Sequence, residues 1–325
     1  MVDQDVLGDA VTRLPTFIPK FPWFGGDLQT LRNALLPPRA MLDIWPRTSL
    51  RFDMADGTGD SLVGELQQPD TVDRHLPLVI LIHGLTGSMD SAYMRVSAHH
   101  LLRAGYPVLR LTLRGAGSSR RQTRAFYHAG RSEDLHQVIG QLDGRLAGNG
   151  LVLVGFSVGG NMMLKYLAER GRLAPIQAAI SVSAPIDLAV TQQRLASRRN
   201  RRYHDFLLGE MKAERPCPAD IISIIDFDNR VVAPSNGFAD AADYYRQSSA
   251  KPMLGRIKRP TLLIHAANDP WIPASIYRDL DLAGNRRLRL LMPHSGGHVG
   301  FHAWGLEQPW HDLAIEQFIR AALAG

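Results

Sequence analysis

The sequence predicts an α/β fold with a mostly parallel central sheet, helices on both faces and a helical cap insertion. Continuously apolar, strand-length segments alternate with helical segments over residues 78–183, which is typical of a parallel sheet buried on both faces. The alternation stops after Pro185 and resumes at Thr261. The charged stretch between them, 187–255, contains no apolar strand, so we expect a cap inserted into one sheet and not a second domain.

The N-terminal segment, residues 1–47, is rich in Pro, Phe and Trp and shows little periodicity. We expect it to pack as an arm over the rest of the chain. The alternative is that Phe21-Pro22-Trp23-Phe24 inserts into a membrane interface through its apolar rings.

The hydrophobic period becomes two from Thr48, which predicts an antiparallel hairpin around the turn at 56–59. The expected strands are 49–54, 61–66, 78–82, 108–113, 151–154, 178–183, 261–266 and 288–292. The expected helices are 89–104, one capped by Ser132, 161–170 with a left-handed cap at Gly171, and 311–323. One domain, 1–325, would then comprise the arm 1–47, a catalytic core 48–186 and 256–325, and the cap 187–255.

Composition narrows the possible classes of protein. A chain of 325 residues that is 45% hydrophobic can bury a large core. The single Cys217 excludes an intramolecular disulfide framework and favours a reducing, cytoplasmic location. No signal-peptide pattern is visible, and the longest apolar run is far shorter than a membrane span.

The net charge of +6 permits affinity for anionic surfaces, and the densest basic cluster is Arg198-Arg199-Asn200-Arg201-Arg202. This cluster is either a solvated helix face or a surface that attracts anionic lipid or an acidic acyl carrier. Nucleic-acid binding is not expected, because the sequence has neither a reading motif nor an aromatic platform.

No metal or cofactor is expected. The stretch 114–119 lacks the full G-x-G-x-x-G spacing of a dinucleotide site. The sequence has neither H-E-x-x-H nor a Cys and His spacing of the kind that binds zinc.

The segment that carries chemistry is Gly155-Phe156-Ser157-Val158-Gly159, which follows a predicted strand and precedes a predicted helix. A strand, a sharp turn with serine at its apex and a helix form the nucleophile elbow of G-x-S-x-G hydrolases. Glycines flank the serine because so tight a turn brings the two backbones too close for a β-carbon. Ser157 is therefore the predicted nucleophile.

A serine nucleophile needs a base within hydrogen-bond reach, and that base needs an orienting carboxylate. In this fold type the chain order is Ser, Asp, His, with the acid and the base on loops that follow strands. Asp269 and His298 occupy the two expected loops. The alternatives are His294 for the base, Asp187, Asp226 and Asp228 for the acid, and an elbow retained without chemistry.

A developing oxyanion needs preorganised N–H donors. We predict the amide of Val158, directly after the nucleophile, and the amide of Leu85, in the loop after the strand 78–82. Gly84 would let that loop turn inward. The neighbouring His83 is expected to brace the loop without transferring a proton.

Five motifs follow one another along the chain: His83-Gly84-Leu85-Thr86-Gly87-Ser88, Leu113-Arg114-Gly115-Ala116-Gly117, Tyr127-His128-Ala129-Gly130 with Glu133-Asp134, Gly155-Phe156-Ser157-Val158-Gly159-Gly160-Asn161 and Gly296-Gly297-His298-Val299-Gly300-Phe301. Taken in this order, they resemble the YheT-like branch of the α/β-hydrolases. Two departures are visible: Asp27 precedes Leu28-Gln29-Thr30 where relatives usually have His, and Asn268 precedes Asp269-Pro270 where a second acid is common.

The resemblance implies an α/β-hydrolase fold and a serine esterase that acts on small-molecule acyl esters, either short- to medium-chain esters or monoacylglycerols. Two other hypotheses stay open. One is an acyltransferase or ester synthase that uses the same triad with an alcohol acceptor. The other is a non-catalytic module that docks peripherally on membranes through the arm and the basic cluster.

Overall fold

The computed structural model describes residues 14–36, 40–69 and 75–324. In these residues eight strands form one sheet in the order β1-β2-β4-β3-β5-β6-β7-β8. Only β1 with β2 and β2 with β4 pair antiparallel, and the remaining neighbours run parallel. The strands are β1 (Arg47–Asp53), β2 (Ser61–Gln67), β3 (Leu78–Ile82), β4 (Val108–Thr112), β5 (Leu151–Phe156), β6 (Ile176–Val182), β7 (Thr261–Ile264) and β8 (Leu288–Leu291).

Helices cover both faces of this sheet, as predicted. The α-helices are α1 (Gly25–Leu35), α2 (Ala92–Arg103), α3 (Ser132–Gly140), α4 (Gly144–Ala147), α5 (Val158–Arg170), α6 (Leu188–Leu195), α7 (Arg201–Glu214), α8 (Ile224–Phe227), α9 (Ala233–Ser235), α10 (Ala241–Ser248), α11 (Ser275–Arg278) and α12 (Trp310–Ala324). Short 3₁₀ segments occupy Gly117–Gln122, Arg198–Asn200 and Lys251–Arg256, and Asp228–Val232 is a π-helical turn.

The sheet separates two apolar layers. Strands β3 and β5 are buried along their whole length, and alternate residues supply the two layers. Helices α3 and α5 pack on one face, whereas α2 and α12 pack on the other. The carboxyl ends of the parallel strands consequently meet at one edge, where the loops after β3, β5, β7 and β8 can come together.

The segment between β6 and β7 is helical, and its helices share an apolar cluster of their own that includes Leu207, Phe227 and Tyr244. This cluster also contacts Leu85 and Val158 of the core. The assignment of 187–255 as a separate cap stays a prediction.

Three local expectations are wrong. Ser132 is the first residue of α3 and not its cap, because its hydroxyl donates to the Glu169 carboxylate on α5. Gly171 has a right-handed φ of −59°, since its amide still bonds to Leu167 as in the helix. The arm contains a regular helix, α1, where little periodicity was found.

Candidate active site

Ser157 lies at the apex of the turn between β5 and α5 with a φ of +50°, a conformation that L-residues rarely adopt. The turn is tight because its glycines touch neighbouring backbone. A β-carbon on Gly159 would lie 2.3 Å from the His83 carbonyl oxygen, and one on Gly155 would lie 2.6 Å from the Gly160 Cα. The elbow is therefore locked against the sheet by contacts that only glycine allows.

The structure brings the three predicted side chains together. His298 Nε2 lies 3.0 Å from Ser157 Oγ, and His298 Nδ1 lies 2.9 Å from Asp269 Oδ2. A carboxylate can only accept, so Nδ1–H donates to Asp269 and Nε2 is left to accept the serine proton. This arrangement can move a proton from serine to histidine.

Asp269 is buried, and its immediate partners keep it ionised. Burial acts to raise the pKa of this carboxyl group. The charge and hydrogen bond of His298 and the Trp271 amide outweigh that effect, so the pKa lies below its ordinary value.

The rival residues lie elsewhere. His294 is exposed, Asp187 caps α6 by accepting from the Val190 amide, and Asp226 pairs with Arg230. Asp228 is buried in the cap, where the Tyr245 hydroxyl donates to it at 2.6 Å.

The loop after β3 presents the predicted oxyanion donor. The amides on either side of Leu85 are occupied: Gly84 N–H donates to the Tyr93 hydroxyl at 2.9 Å, and Thr86 N–H donates to the Tyr127 hydroxyl at 2.6 Å. In the described part of the chain, neither the Leu85 amide nor the Val158 amide donates a hydrogen bond. Val158 is the first residue of α5, where an amide has no partner within the helix.

Gly84 brings this loop against the nucleophile, since a β-carbon there would lie 2.8 Å from Ser157 Cβ. His83 braces the loop, because its Nδ1 donates to the Gly84 carbonyl at 2.7 Å and its Nε2 accepts from the Leu113 amide at 2.9 Å. Burial lowers the pKa of His83 to about 4, which suits a neutral ring.

Sequence reasoning missed Trp271. Its ring stacks on His298 at 4.3 Å between centroids, while its amide bonds to Asp269 at 2.8 Å. The indole ring therefore covers one face of the imidazole. The only signal in the sequence was its position two residues after the acid.

The arm also belongs to the site. Thr30 Oγ1, on α1, accepts a hydrogen bond from the His298 amide at 2.8 Å. A β-carbon on Gly297 would lie 2.4 Å from the Gly26 carbonyl oxygen, so α1 rests directly on the histidine loop.

Gln29 fixes α1 in this place. Its side chain is fully buried; its Nε2 donates to the Trp23 and His302 carbonyls and its Oε1 accepts from the His302 amide at 2.7 Å. The segment Gly26 to Thr30 therefore holds the loop that carries His298.

Two cavities meet at Leu85. An open cleft of 880 Å³ contains Ser157 and His298, and its walls are α1 on one side and Tyr203 and Phe206 of α7 on the other. A second cavity of 110 Å³, mostly apolar, lies behind Leu85 and Val158 under the cap.

The small cavity also contains ionisable groups, including Arg215 and Asp228. Burial raises the pKa of Asp228 to about 7, against the hydrogen bond from Tyr245 and the charge of Arg215, which act to lower it.

With this geometry in hand, the chain can be compared with known proteins. The model of the alpha/beta hydrolase family matches residues 79–316. The chain belongs to the alpha/beta hydrolase family. It is 32% identical to YheT of Escherichia coli strain K12 over 267 residues, 77% of this chain and 78% of YheT, which confirms the expected resemblance.

More distant members of the alpha/beta hydrolase family extend the comparison. The monoacylglycerol lipase of Saccharomyces cerevisiae is 26% identical over 75% of this chain, which spans 59% of the lipase. A solved structure, the esterase Pf2001 of Pyrococcus furiosus, superposes with a TM-score of 0.58 at 17% identity, over 95% of this chain and 97% of that one. This last likeness supports the fold alone.

Residues 14–36, 40–69 and 75–324 contain no helix long and apolar enough to cross a bilayer. Within the same ranges no three His, Cys, Asp or Glu side chains cluster closely enough to hold a metal ion.

Proposed function

We propose that this alpha/beta hydrolase cleaves carboxylic esters through Ser157, His298 and Asp269. Ser157 Oγ attacks the acyl carbon while its proton passes to His298 Nε2. The negative charge that develops on the carbonyl oxygen is stabilised by the Leu85 and Val158 amides. His298 then gives the proton to the leaving alcohol, and an acyl-enzyme remains.

Water completes the cycle by the same route. His298 takes a proton from water, the hydroxide adds to the acyl carbon, and Ser157 leaves with the proton returned by His298. Asp269 stays ionised and stabilises the imidazolium in both halves.

One observation carries this proposal: the continuous relay of 3.0 Å from serine to histidine and 2.9 Å from histidine to aspartate, beside two amides without an intramolecular acceptor in the described residues. Ser157 is also held at a φ of +50°, and strained backbone of this kind clusters at active sites. The esterase and lipase names of its sequence relatives point to the same reaction class.

We further propose that the acyl chain enters the cavity behind Leu85 and Val158 and that the alcohol part lies in the open cleft. At 110 Å³ this cavity is small beside the 880 Å³ of the open cleft. Short acyl chains would then fit best, within the short- to medium-chain range.

The test is a panel of p-nitrophenyl esters of graded acyl length. We expect turnover that is highest for short acyl chains and is lost in Ser157→Ala but kept in Ser275→Ala, a substitution at an exposed serine. Turnover by Ser157→Ala equal to that of the parent chain would contradict the nucleophile assignment.

A second variant tests the cavity. Leu188→Phe fills the cavity from the cap and should shift the optimum to shorter chains, whereas Leu173→Phe, on an exposed loop, should not. An optimum at ten or more carbons in the parent chain would contradict the cavity assignment while leaving ester hydrolysis intact. Acyl transfer to an alcohol stays a prediction, and ethyl ester formed with added ethanol would measure it.

A further inference from the structure

The two faces of helix α1 differ in a way that the reaction does not require. One face carries Gln29 and Thr30 and rests on the histidine loop. The other face presents large apolar side chains to solvent at helical spacing: Phe24 is 54% exposed, Leu28 41%, Leu31 39% and Leu35 60%. Exposed apolar side chains that form a contiguous stripe often mark a docking site, whereas exposed apolar residues scattered singly are normal.

Positive charge lies beside this apolar stripe. Arg199 Nη2 pairs with Asp27 Oδ2 on α1 at 2.6 Å, and the Tyr203 hydroxyl donates to Asp27 Oδ1 at 2.9 Å. The basic cluster Arg198–Arg202 is thereby held against the start of α1. Asp27 is the residue that joins them.

The stripe and the basic cluster surround the mouth of the cleft. Leu31 on α1 and Arg202 and Phe206 on α7 line the cleft that contains Ser157. Phe206 is itself exposed, and Phe21 packs edge-on against Phe24 at 6.0 Å, which extends the apolar rim.

We propose that this face docks on an anionic lipid bilayer, with α1 lying in the interface and the cleft mouth turned toward the membrane. An amphipathic helix with leucines on one side and arginines nearby suits such a surface, because apolar burial and attraction to anionic headgroups add. The charge favours a bilayer over a second copy of this chain, whose equivalent face would carry the same arginines. Docking would deliver esters from the lipid phase directly into the cleft.

The experiment measures sedimentation of the full chain with phosphatidylcholine vesicles, with and without phosphatidylglycerol. We expect binding to the phosphatidylglycerol vesicles that weakens as salt rises. The double substitution Leu28→Glu and Leu35→Glu should lower the partition coefficient at least tenfold, and Arg198→Gln or Arg201→Gln about fivefold each.

The matched controls are Leu173→Glu and Arg246→Gln, which alter an exposed leucine and an exposed arginine away from this face. Leu173 follows the far end of α5, roughly 20 Å along the helix axis from Ser157. Both controls should bind vesicles like the parent chain. Circular dichroism of every variant checks folding independently of any activity.

Three outcomes would overturn the proposal: no binding to phosphatidylglycerol vesicles, equal binding to both vesicle types, or equal loss in the controls. Concentration-dependent self-association that Leu28→Glu and Leu35→Glu abolish, without vesicle binding, would assign the face to a second copy instead. Since vesicle binding needs no turnover, its failure is distinct from a failure of ester hydrolysis.

Discussion

The serine elbow and the histidine loop are held in place by different parts of the chain. The elbow is fixed from within, because Gly155 and Gly159 press it against the backbone of the sheet and of the adjoining β3 loop. The histidine loop is fixed from outside, by Gly26, Gln29 and Thr30 of an arm that precedes it by about 270 residues.

This difference places α1 of the arm in direct contact with the candidate active site. Rigid, close-packed backbone positions Ser157, the proposed nucleophile. Polar contacts from one helix position His298, the proposed base, and such contacts can be removed singly. The two supports should therefore respond to substitution in different ways.

The sharpest test compares Gly159→Ala with Gly297→Ala. The new β-carbon at 159 would lie 2.3 Å from the His83 carbonyl and 2.7 Å from that of Ile82, at the end of a buried strand that cannot yield. We expect a loss of about 3 to 5 kcal/mol in the free energy of unfolding and at least a hundredfold loss in kcat/KM.

At 297 the β-carbon would meet the Gly26 carbonyl and the Gln29 and Thr30 side chains of the arm. We expect this outer helix to yield more readily than the backbone of a buried strand. This contact and the strain of a φ of +62° should together lower the free energy of unfolding by about 1 to 3 kcal/mol. Urea unfolding and ester turnover measure both variants. A larger loss of stability in Gly297→Ala than in Gly159→Ala would refute the contrast.

Buried acids also distinguish the histidine loop from the cap. Asp269 has a lowered pKa although it is buried, whereas burial raises the pKa of Asp228 to about 7. A raised folded-state pKa means that the native state holds a proton the unfolded chain releases, so stability falls as pH rises from about 4 to 7.

We expect Asp228 to lower the free energy of unfolding by up to about 4 kcal/mol between those limits. Asp228→Asn should remove that slope, while Asp226→Asn, an acid paired at the surface with Arg230, should keep it. Urea unfolding at pH 5 and pH 8 measures the free energy of unfolding at each pH. If its change with pH were the same in Asp228→Asn as in the parent chain, Asp228 would not be its source.

Gln29→Ala tests the anchor of the arm. It leaves the buried His302 amide and the carbonyls of His302 and Trp23 without their partner. We expect the free energy of unfolding to fall by about 2 to 3 kcal/mol. We expect kcat to fall more than tenfold under conditions where the variant is folded, because the histidine loop loses its support. Gln193→Ala, exposed on α6, is the control. Full kcat in folded Gln29→Ala would show that the loop carrying His298 keeps its position without the Gln29 anchor.

The smallest effect is expected for Thr30→Val, which keeps the shape of the side chain but removes the acceptor for the His298 amide and the donor to the Gly26 carbonyl; only the first of these bonds touches the histidine loop. One hydrogen bond of about 1 kcal/mol corresponds to a roughly fivefold loss in kcat. Thr30→Ser retains the hydroxyl and should retain activity. Equal kinetics for Val and Ser at this position would remove the hydrogen bond from the account.

The sequence predicted the elbow and the strands well because their signals are local. Gly155 and Gly159 flank Ser157 directly, and the apolar run before them matches β5. The parallel direction of the core strands was predicted from another local signal, the alternation of apolar strands with helices.

The arm could not be predicted in this way. The large apolar side chains of α1 face solvent, so the usual link between hydrophobic pattern and burial is inverted in this helix. Its buried residue, Gln29, is polar, and the partners of Gln29 and of the half-buried Thr30 include residues near the other end of the chain. Trp271 was missed for a related reason, since stacking on His298 depends on how two separate loops meet.

The most direct test of the account is labelling with a fluorophosphonate probe, followed by mass spectrometry of the peptides. The account predicts rapid labelling of the parent chain at Ser157 and none in Ser157→Ala, with slower labelling in Gln29→Ala because His298 is no longer held in place. No labelling of the folded parent chain, or labelling that persists elsewhere in Ser157→Ala, would contradict it.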